Sequence, residues 1–225
     1  MVTIFFPRMH PAARNRLVQQ WSAHLLRILA IRLEVSGTLM REPVAVMLVA
    51  NHVSWIDVYA LNAICPAYFV AKSEIGRWPL LGLLARKSGT VFIERTRKRD
   101  ILRVNAQIAS MLRTGAIMAV FPEGTTTEGN AVLPFRPPLL QPAVECNVWL
   151  QPVAIRYEGA DGSLCSAACF VGDTTFAAAL WLVLMQPGIH ARLQFLPAIY
   201  CGGTHRKALA RATEFSIASA LGLHR

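Results

Sequence analysis

The chain has 225 residues, of which 54% are hydrophobic, and its formal net charge is +10. This length fits one domain with a sizeable core, and the five cysteines, an odd number without a C-x-x-C pair, are expected to be reduced core residues, which excludes a disulfide framework and a structural zinc site. A hydrophobic, basic chain is typical of proteins at an anionic membrane surface, whereas the lack of zinc-finger spacing, aromatic RNA-binding motifs and long basic runs disfavours nucleic acid as a partner.

The first element predicted is an amphipathic lead helix. Pro7 and Arg8 break the first short apolar stretch, so no signal peptide is predicted. Residues 13–33 show helical periodicity, with Leu17 and Trp21 on the apolar side and Arg16 on the other. Such a helix either anchors the protein in the membrane interface or packs its stripe on the domain, and both hold if only its first half is free. No apolar run reaches about 18 residues, so peripheral or monotopic association is expected.

Short apolar runs then alternate with helical stretches. The predicted strands are residues 32–37, 44–50, 67–71, 89–94, 116–122, 148–157, 166–172 and 191–197. The predicted helices are residues 58–64, 79–86, 100–112, 176–185 and 205–221. Near-continuous apolar strands separated by helices indicate an α/β fold, with a mainly parallel mixed sheet covered by helices on both faces. Residues 1–225 are interpreted as a single domain, with 1–33 as the basic amphipathic lead helix.

The stretch NHVSWID places a histidine directly after the second predicted strand. His52 lies two residues past Ala50, at a carboxyl end where open α/β sheets bind ligands. Asp57 caps or begins the next helix, so the turn between them allows its carboxylate to accept the Nδ1–H of His52. Nε2 then remains an acceptor that removes a proton from a hydroxyl. The alternative for this short pattern is an ordinary turn histidine followed by a helix cap.

Three further strand ends carry residues suited to an anionic ligand. Lys72 ends the strand of residues 67–71, and Arg95 follows the strand of residues 89–94; both cations suit a phosphate or carboxylate. Glu123 and Gly124 follow the strand of residues 116–122, where glycine permits close backbone approach and the following threonines offer donors. The alternative for the basic strand end is a solvated loop, and the alternative for the segment of Glu123 and Gly124 is a plain turn. Together these strand ends favour a site that binds and deprotonates an anionic hydroxyl compound.

Four ordered stretches, NHVSWID, GTVFIER, FPEGTT and VWLQPVAI, resemble the blocks of the glycerolipid acyltransferase family. The similarity covers about residues 30–200, and the family is typified by bacterial 1-acyl-glycerol-3-phosphate (lysophosphatidate) acyltransferases. It implies an O-acyltransferase with His52 as base and Asp57 as its partner. It also implies site positions in the four blocks: Asn51, Gly89, Phe92, Arg95, Glu123, Gly124 and Pro152. Lys72, Thr125 and Thr126, from the strand-end pattern, complete the predicted substrate-binding residues.

The resemblance implies an acyl thioester on coenzyme A or acyl carrier protein as donor and a lysolipid as acceptor. No metal is expected, because the sequence shows no cluster of metal ligands, and no cofactor is predicted. We expect the enzyme to lie peripherally or monotopically on the cytoplasmic side of an anionic membrane, and make no prediction for its oligomeric state. One departure concerns Thr126, where lysophosphatidate enzymes carry a basic residue, as in F-P-E-G-T-R. FPEGTT resembles instead the branch that includes lyso-ornithine lipid acyltransferases. Lysophosphatidate is therefore the first acceptor, lyso-ornithine lipid the alternative, and a hydrolase or a non-enzymatic lipid-binding module the rival functions.

Overall fold

The computed structural model describes residues 9–40, 45–72, 90–93 and 98–223. The helices in these ranges are α1 (Pro11–Ile28), α2 (Ile56–Ile64), α3 (Lys98–Arg113), α4 (Gln141–Glu145), α5 (Phe176–Leu184) and α6 (Arg206–Ala220). The strands are β1 (Ile31–Gly37), β2 (Val46–Ala50), β3 (Tyr68–Lys72), β4 (Val91–Ile93), β5 (Met118–Val120), β6 (Trp149–Gly159), β7 (Ile189–Phe195) and β8 (Ile199–Tyr200). Short 3₁₀ helices span Pro137–Leu140 and Ser166–Ala168.

The described strands form one mixed sheet in the order β1-β7-β6-β2-β5-β3-β4, with β8 beside β6. β2 runs parallel to both β5 and β6, and β3 runs parallel to β5 and β4. β7 and β8 pair with β6 in the antiparallel sense, while β1 is parallel to β7. The predicted mainly parallel mixed sheet is confirmed.

The central strand β2 shows why helices cover both faces of the sheet. All five of its residues are buried, and alternate side chains enter opposite cores. Val46, Leu48 and Ala50 pack in a core with residues of α1, α2 and α5. Met47 and Val49 pack in a second core with residues of α3, α4 and α6. The two helical layers predicted from the continuous apolar strands are therefore confirmed.

The parallel strands bring the predicted motifs to one edge of the sheet. The carboxyl ends of β2 and β5 lead directly into the segments that begin at Asn51 and Phe121. Lys72, the last residue of β3, pairs with Ile93, the last residue of β4. The strand ends chosen from the sequence thus lie along a common edge, as expected for parallel neighbours.

Two of the predicted elements differ from the structure. Residues 166–172 do not form a strand, because their backbone groups bond within a short turn or to a loop: Cys169 N–H donates to Ser166 O at 3.0 Å, and Phe170 N–H donates to Val53 O at 3.0 Å. The lead helix ends at Ile28 and not at residue 33, because Ile31 onward pairs with β7.

The sequence reasoning also missed some short elements. It did not predict β8, α4 or the two 3₁₀ helices. The predicted helix of residues 79–86 lies outside the described residues. Four of the five cysteines are buried, as expected for core residues, and Cys146 is half-buried.

The lead helix α1 has a packed half and an exposed half. Ser22 and Leu26 are buried, and the Gln19 amide donates to the carbonyl oxygens of Ala63 and Ile64 at the end of α2. Leu17, nearer the amino terminus, is 42% exposed. Among the described residues, no helix combines the length and the hydropathy needed to span a bilayer.

Candidate active site

Asn51 fixes the chain where it leaves β2. Its side-chain amide donates to Ile155 O at 2.9 Å, and its side-chain oxygen accepts from Ile155 N–H at 2.8 Å. The buried Asn51 side chain therefore imitates a main-chain strand partner for β6. This pair of bonds sets the position of the next residue, His52.

His52 and Asp57 are in direct contact. Nδ1 of His52 lies 2.7 Å from Oδ2 of Asp57. A carboxylate only accepts hydrogen bonds, so Nδ1 carries the proton and Nε2 presents a lone pair. Within the described part of the chain, Nε2 has no hydrogen-bond partner, and the His52 side chain is 20% exposed. A small hydroxyl compound therefore has access to an acceptor nitrogen whose tautomer is fixed.

Asp57 is fully buried in the first turn of α2, and its carboxylate organises the loop around it. Oδ2 also accepts from Val53 N–H at 2.9 Å and from Ser54 N–H at 3.0 Å. These backbone donors offset the cost of burying the charge and lock the loop between β2 and α2. The His52 ring is consequently held by a short, rigid loop.

A second support for the imidazole comes from aromatic stacking. The His52 ring stacks on Phe121 at a centroid distance of 4.1 Å and an interplanar angle of 12°. Phe121 stacks in turn on Phe69 at 6.1 Å. The ring is thereby fixed by a hydrogen bond at its edge and an aromatic neighbour on its face.

Glu123 is buried and bonded to the main chain on both sides. Oε1 accepts from the backbone N–H of His52 at 2.7 Å, and Oε2 accepts from Leu133 N–H at 2.8 Å. Burial raises the pKa of Glu123 to about 7, against the lowering effect of the two N–H bonds. Both carboxylate oxygens of Glu123 therefore hold main-chain N–H groups in place. The expected contact of the FPEGTT block with the acceptor stays a prediction.

The residues after Glu123 wrap around the His52 loop. Gly124 has φ +80°, a left-handed conformation that favours glycine, and Thr125 is exposed. The Thr126 hydroxyl donates to Phe170 O. Thr127 N–H donates to His52 O at 2.8 Å. The segment after β5 is thus hydrogen-bonded to the backbone of His52.

The remaining predicted positions are less directly connected to His52. Pro152 is buried in β6 opposite Val49, where it belongs to the sheet beneath the site. Lys72 and Phe92 lie in β3 and β4, respectively. Gly89 and Arg95 lie outside the described residues. The structure therefore brings together Asn51, His52, Asp57, Glu123 and the loop after Gly124.

Tyr157 is a neighbour that the sequence reasoning missed. Its hydroxyl lies 2.7 Å from Oδ1 of Asp57, on the carboxylate oxygen that does not face His52. Tyr157 is fully buried, and burial is the first cause that raises its pKa well above the ordinary value, followed by the charge of Asp57. A tyrosine in an apolar strand, 100 residues along the chain from its partner, gives no local signal of such a contact.

Several known proteins are similar to this chain over most of its length. The acyltransferase family model matches residues 32–156. The lyso-ornithine lipid O-acyltransferase of Pseudomonas aeruginosa is 38% identical over 208 residues, which cover 92% of this chain and 79% of the relative. The 1-acyl-sn-glycerol-3-phosphate acyltransferase of Neisseria meningitidis is 35% identical over 186 residues, which cover 83% and 72%.

A solved structure has the same fold. The crystal structure of the 1-acyl-sn-glycerophosphate acyltransferase of Thermotoga maritima superposes with a TM-score of 0.71 at 19% identity. The match covers 93% of this chain and 78% of that structure. At this identity the likeness bears on the fold alone.

Proposed function

The chain belongs to the acyltransferase family, and from this premise we propose that it transfers a fatty acyl group from an acyl thioester to the free hydroxyl of a lysolipid. The observation that carries the proposal is the 2.7 Å contact between His52 Nδ1 and the buried Asp57, because it leaves Nε2 as an oriented base. Coenzyme A or acyl carrier protein carries the acyl group, and no further cofactor takes part.

The proposed reaction is a direct transfer. Nε2 of His52 accepts the proton of the lysolipid hydroxyl while the hydroxyl oxygen attacks the thioester carbonyl. The tetrahedral intermediate collapses, the carbon–sulfur bond breaks, and the imidazolium returns the proton to the leaving thiolate. The carboxylate of Asp57 stabilises the imidazolium through Nδ1. No acyl-enzyme is needed, since the acceptor itself is the nucleophile.

Lysophosphatidate is the first acceptor we propose, and lyso-ornithine lipid is the second. The sequence retains Lys72 and Arg95 as cations for a phosphate. The second acceptor is favoured by Thr126, which stands where lysophosphatidate enzymes carry arginine and whose hydroxyl already bonds to Phe170 O. The relatives from both branches are similarly close, at 38% and 35% identity.

Competition between the two acceptors tests the function and ranks the substrates. Purified protein receives both lysolipids and one acyl thioester, and the acylated products are quantified by mass spectrometry. We expect lysophosphatidate to be used first. Thr126→Arg should raise the preference for it by about tenfold or more, since a charge-assisted hydrogen bond contributes about 1.5–3 kcal/mol.

Thr126→Gln is the matched control, because it has a similar reach without the charge and should leave the ratio nearly unchanged. Preferential acylation of lyso-ornithine lipid by the wild-type protein would make that lipid the substrate. Acylation of neither lipid, with any thioester supplied, would contradict the proposed function.

We propose further that the protein works peripherally on the cytoplasmic side of the membrane, with the exposed first half of α1 in the interface. Leu17 offers apolar surface there, and Arg16 is an exposed cation. Trp21, 45% exposed, extends the apolar surface just past the middle of α1. Leu26, in the second half of α1, is only 2% exposed, so deleting residues 1–28 would also open the core. A single substitution in the exposed half is therefore the sharper test.

Leu17→Glu should weaken binding to vesicles containing anionic phospholipid by about tenfold, because burial of a leucine side chain contributes about 1.5–3 kcal/mol. Binding of the wild-type protein should also weaken with salt. Vesicle sedimentation measures both effects. Phe215→Glu is the control, since Phe215 is 72% exposed on α6, on the opposite face of the sheet. Equal binding of both variants and the wild-type protein would show that α1 takes no part.

A further inference from the structure

The carboxylate of Asp57 has donors on both of its oxygens. Oδ2 bonds to Nδ1 of His52 and to the backbone of Val53 and Ser54, all within 3.0 Å. Oδ1 bonds to the hydroxyl of Tyr157 at 2.7 Å. The hydroxyl must be the donor, because the carboxylate of Asp57 only accepts. Tyr157 is thus joined to His52 through one shared carboxylate.

The fold holds the Tyr157 hydroxyl in place. Tyr157 lies in β6, two residues beyond Ile155, which Asn51 bonds twice. The same Asn51 precedes His52, so β6 and the His52 loop are fixed to each other close to the contact. Tyr157 is 1% exposed, and water does not compete for Asp57 at this point.

We propose that Tyr157 is a positioning residue that tunes His52 through Asp57. The inference rests on the proposed function in which His52 acts as the base. Donation from Tyr157 draws negative charge toward Oδ1 and leaves less on Oδ2, the oxygen that faces the imidazole. Removing the hydroxyl therefore stabilises the imidazolium form of His52 and makes its proton harder to return to the leaving thiolate.

Among the described residues, Glu123 and Cys169 also interact electrostatically with the Asp57 carboxylate. Glu123 approaches from the segment after β5, and its pKa is raised to about 7 by burial. Cys169 approaches from the segment after the second 3₁₀ helix, and burial raises its pKa to about 11. Glu123 itself titrates near neutral pH, so the proposal is tested by the difference between variants and not by the wild-type profile alone.

Tyr157→Phe keeps the ring and removes only the hydroxyl. We expect kcat to fall by about threefold to tenfold, because a shift of about 0.5–1 unit slows the return of the proton by at most that factor, with both KM values within about twofold of the wild type. The acidic limb of the pH profile of kcat/KM should move up by about 0.5–1 unit. Tyr59→Phe is the matched control, because it removes a hydroxyl two residues from Asp57 without affecting the Asp57 carboxylate. The acidic limb of its pH profile should not move.

Replacing Tyr157 with fluorotyrosine should shift the pH profile in the opposite direction. Its more acidic phenol is a stronger donor, so the acidic limb should move to lower pH. If the acidic limb of the pH profile is unchanged in both Tyr157 variants, the proposal is overturned. A purely structural contact would affect stability and leave the pH profile of kcat/KM unchanged. If Tyr157→Phe does not fold, as judged by circular dichroism, the fluorotyrosine variant alone decides.

The titration of the His52 imidazole by nitrogen NMR separates this proposal from the proposed function. The His52 signal is assigned by its loss in His52→Gln. An upward shift in Tyr157→Phe supports the coupling even if no acyl transfer is found, whereas an unshifted titration contradicts the coupling in a fully active enzyme.

Discussion

Replacing His52 with alanine is expected to lower the rate of acyl transfer by about 10²–10⁴-fold, because the acceptor hydroxyl loses its general base. The backbone N–H of His52 still bonds to Glu123, and its carbonyl still accepts from Thr127. The loop should therefore keep its shape, and the loss should appear in kcat. Steady-state kinetics with a colorimetric thiol readout measure this, with circular dichroism to verify the fold.

His190→Ala is the matched control for His52→Ala. His190 Nδ1 lies 2.8 Å from a carboxylate oxygen of Glu34, so the pair has the same chemistry, but it joins β7 to β1 on the far side of the sheet. Its removal should leave the transfer rate near the wild-type value. Near-native activity in folded His52→Ala protein would exclude His52 as the base.

Asp57→Asn has the second largest expected effect, a loss of about 10²–10⁴-fold in kcat. An amide has one acceptor oxygen in place of two, so it cannot satisfy the donors on both sides of the carboxylate. If the amide nitrogen faces His52, Nδ1 becomes the acceptor and the proton moves to Nε2, which is the wrong tautomer for a base. Thermal unfolding should also occur at a lower temperature, since backbone donors of Val53 and Ser54 lose a charged partner.

Asp161→Asn provides the comparison for this substitution. Asp161 accepts from Ser163 in an exposed turn, and its exchange should change neither kcat nor the unfolding temperature appreciably. If Asp57→Asn retains the wild-type kcat with an unchanged pH profile, Asp57 has no part in setting the state of His52.

The core of the sheet and the His52–Asp57 contact could be predicted from the sequence because both depend on short-range patterns. VMLVA, residues 46–50, is apolar at every position, which suits a strand between two helical layers. His52 and Asp57 are five positions apart across a strand end and a helix start, so a single turn joins them. The spacing alone left an ordinary turn histidine as the alternative, and the residues at the other strand ends favoured the catalytic interpretation.

Contacts between distant segments could not be predicted in this way. The residues that support His52 come from the segment after β5 and from β6: Phe121 stacks on the His52 ring, and Tyr157 bonds to Asp57. The two backbone bonds of Glu123, to His52 and to Leu133, also join segments that are far apart in the sequence. Residues 166–172 are apolar like a strand, but they cover the loop after β2, where Phe170 bonds to Val53.

The central claim is direct transfer from the thioester to a lysolipid by an oriented histidine. The most direct test measures thiol release and acylated lipid together, in purified wild-type protein supplied with acyl thioester, first without and then with lysolipid. The account predicts negligible thiol release without lysolipid, one acylated lipid for each thiol released with it, and loss of both in His52→Ala. Equally fast thiol release without any acceptor lipid would contradict it and identify a hydrolase.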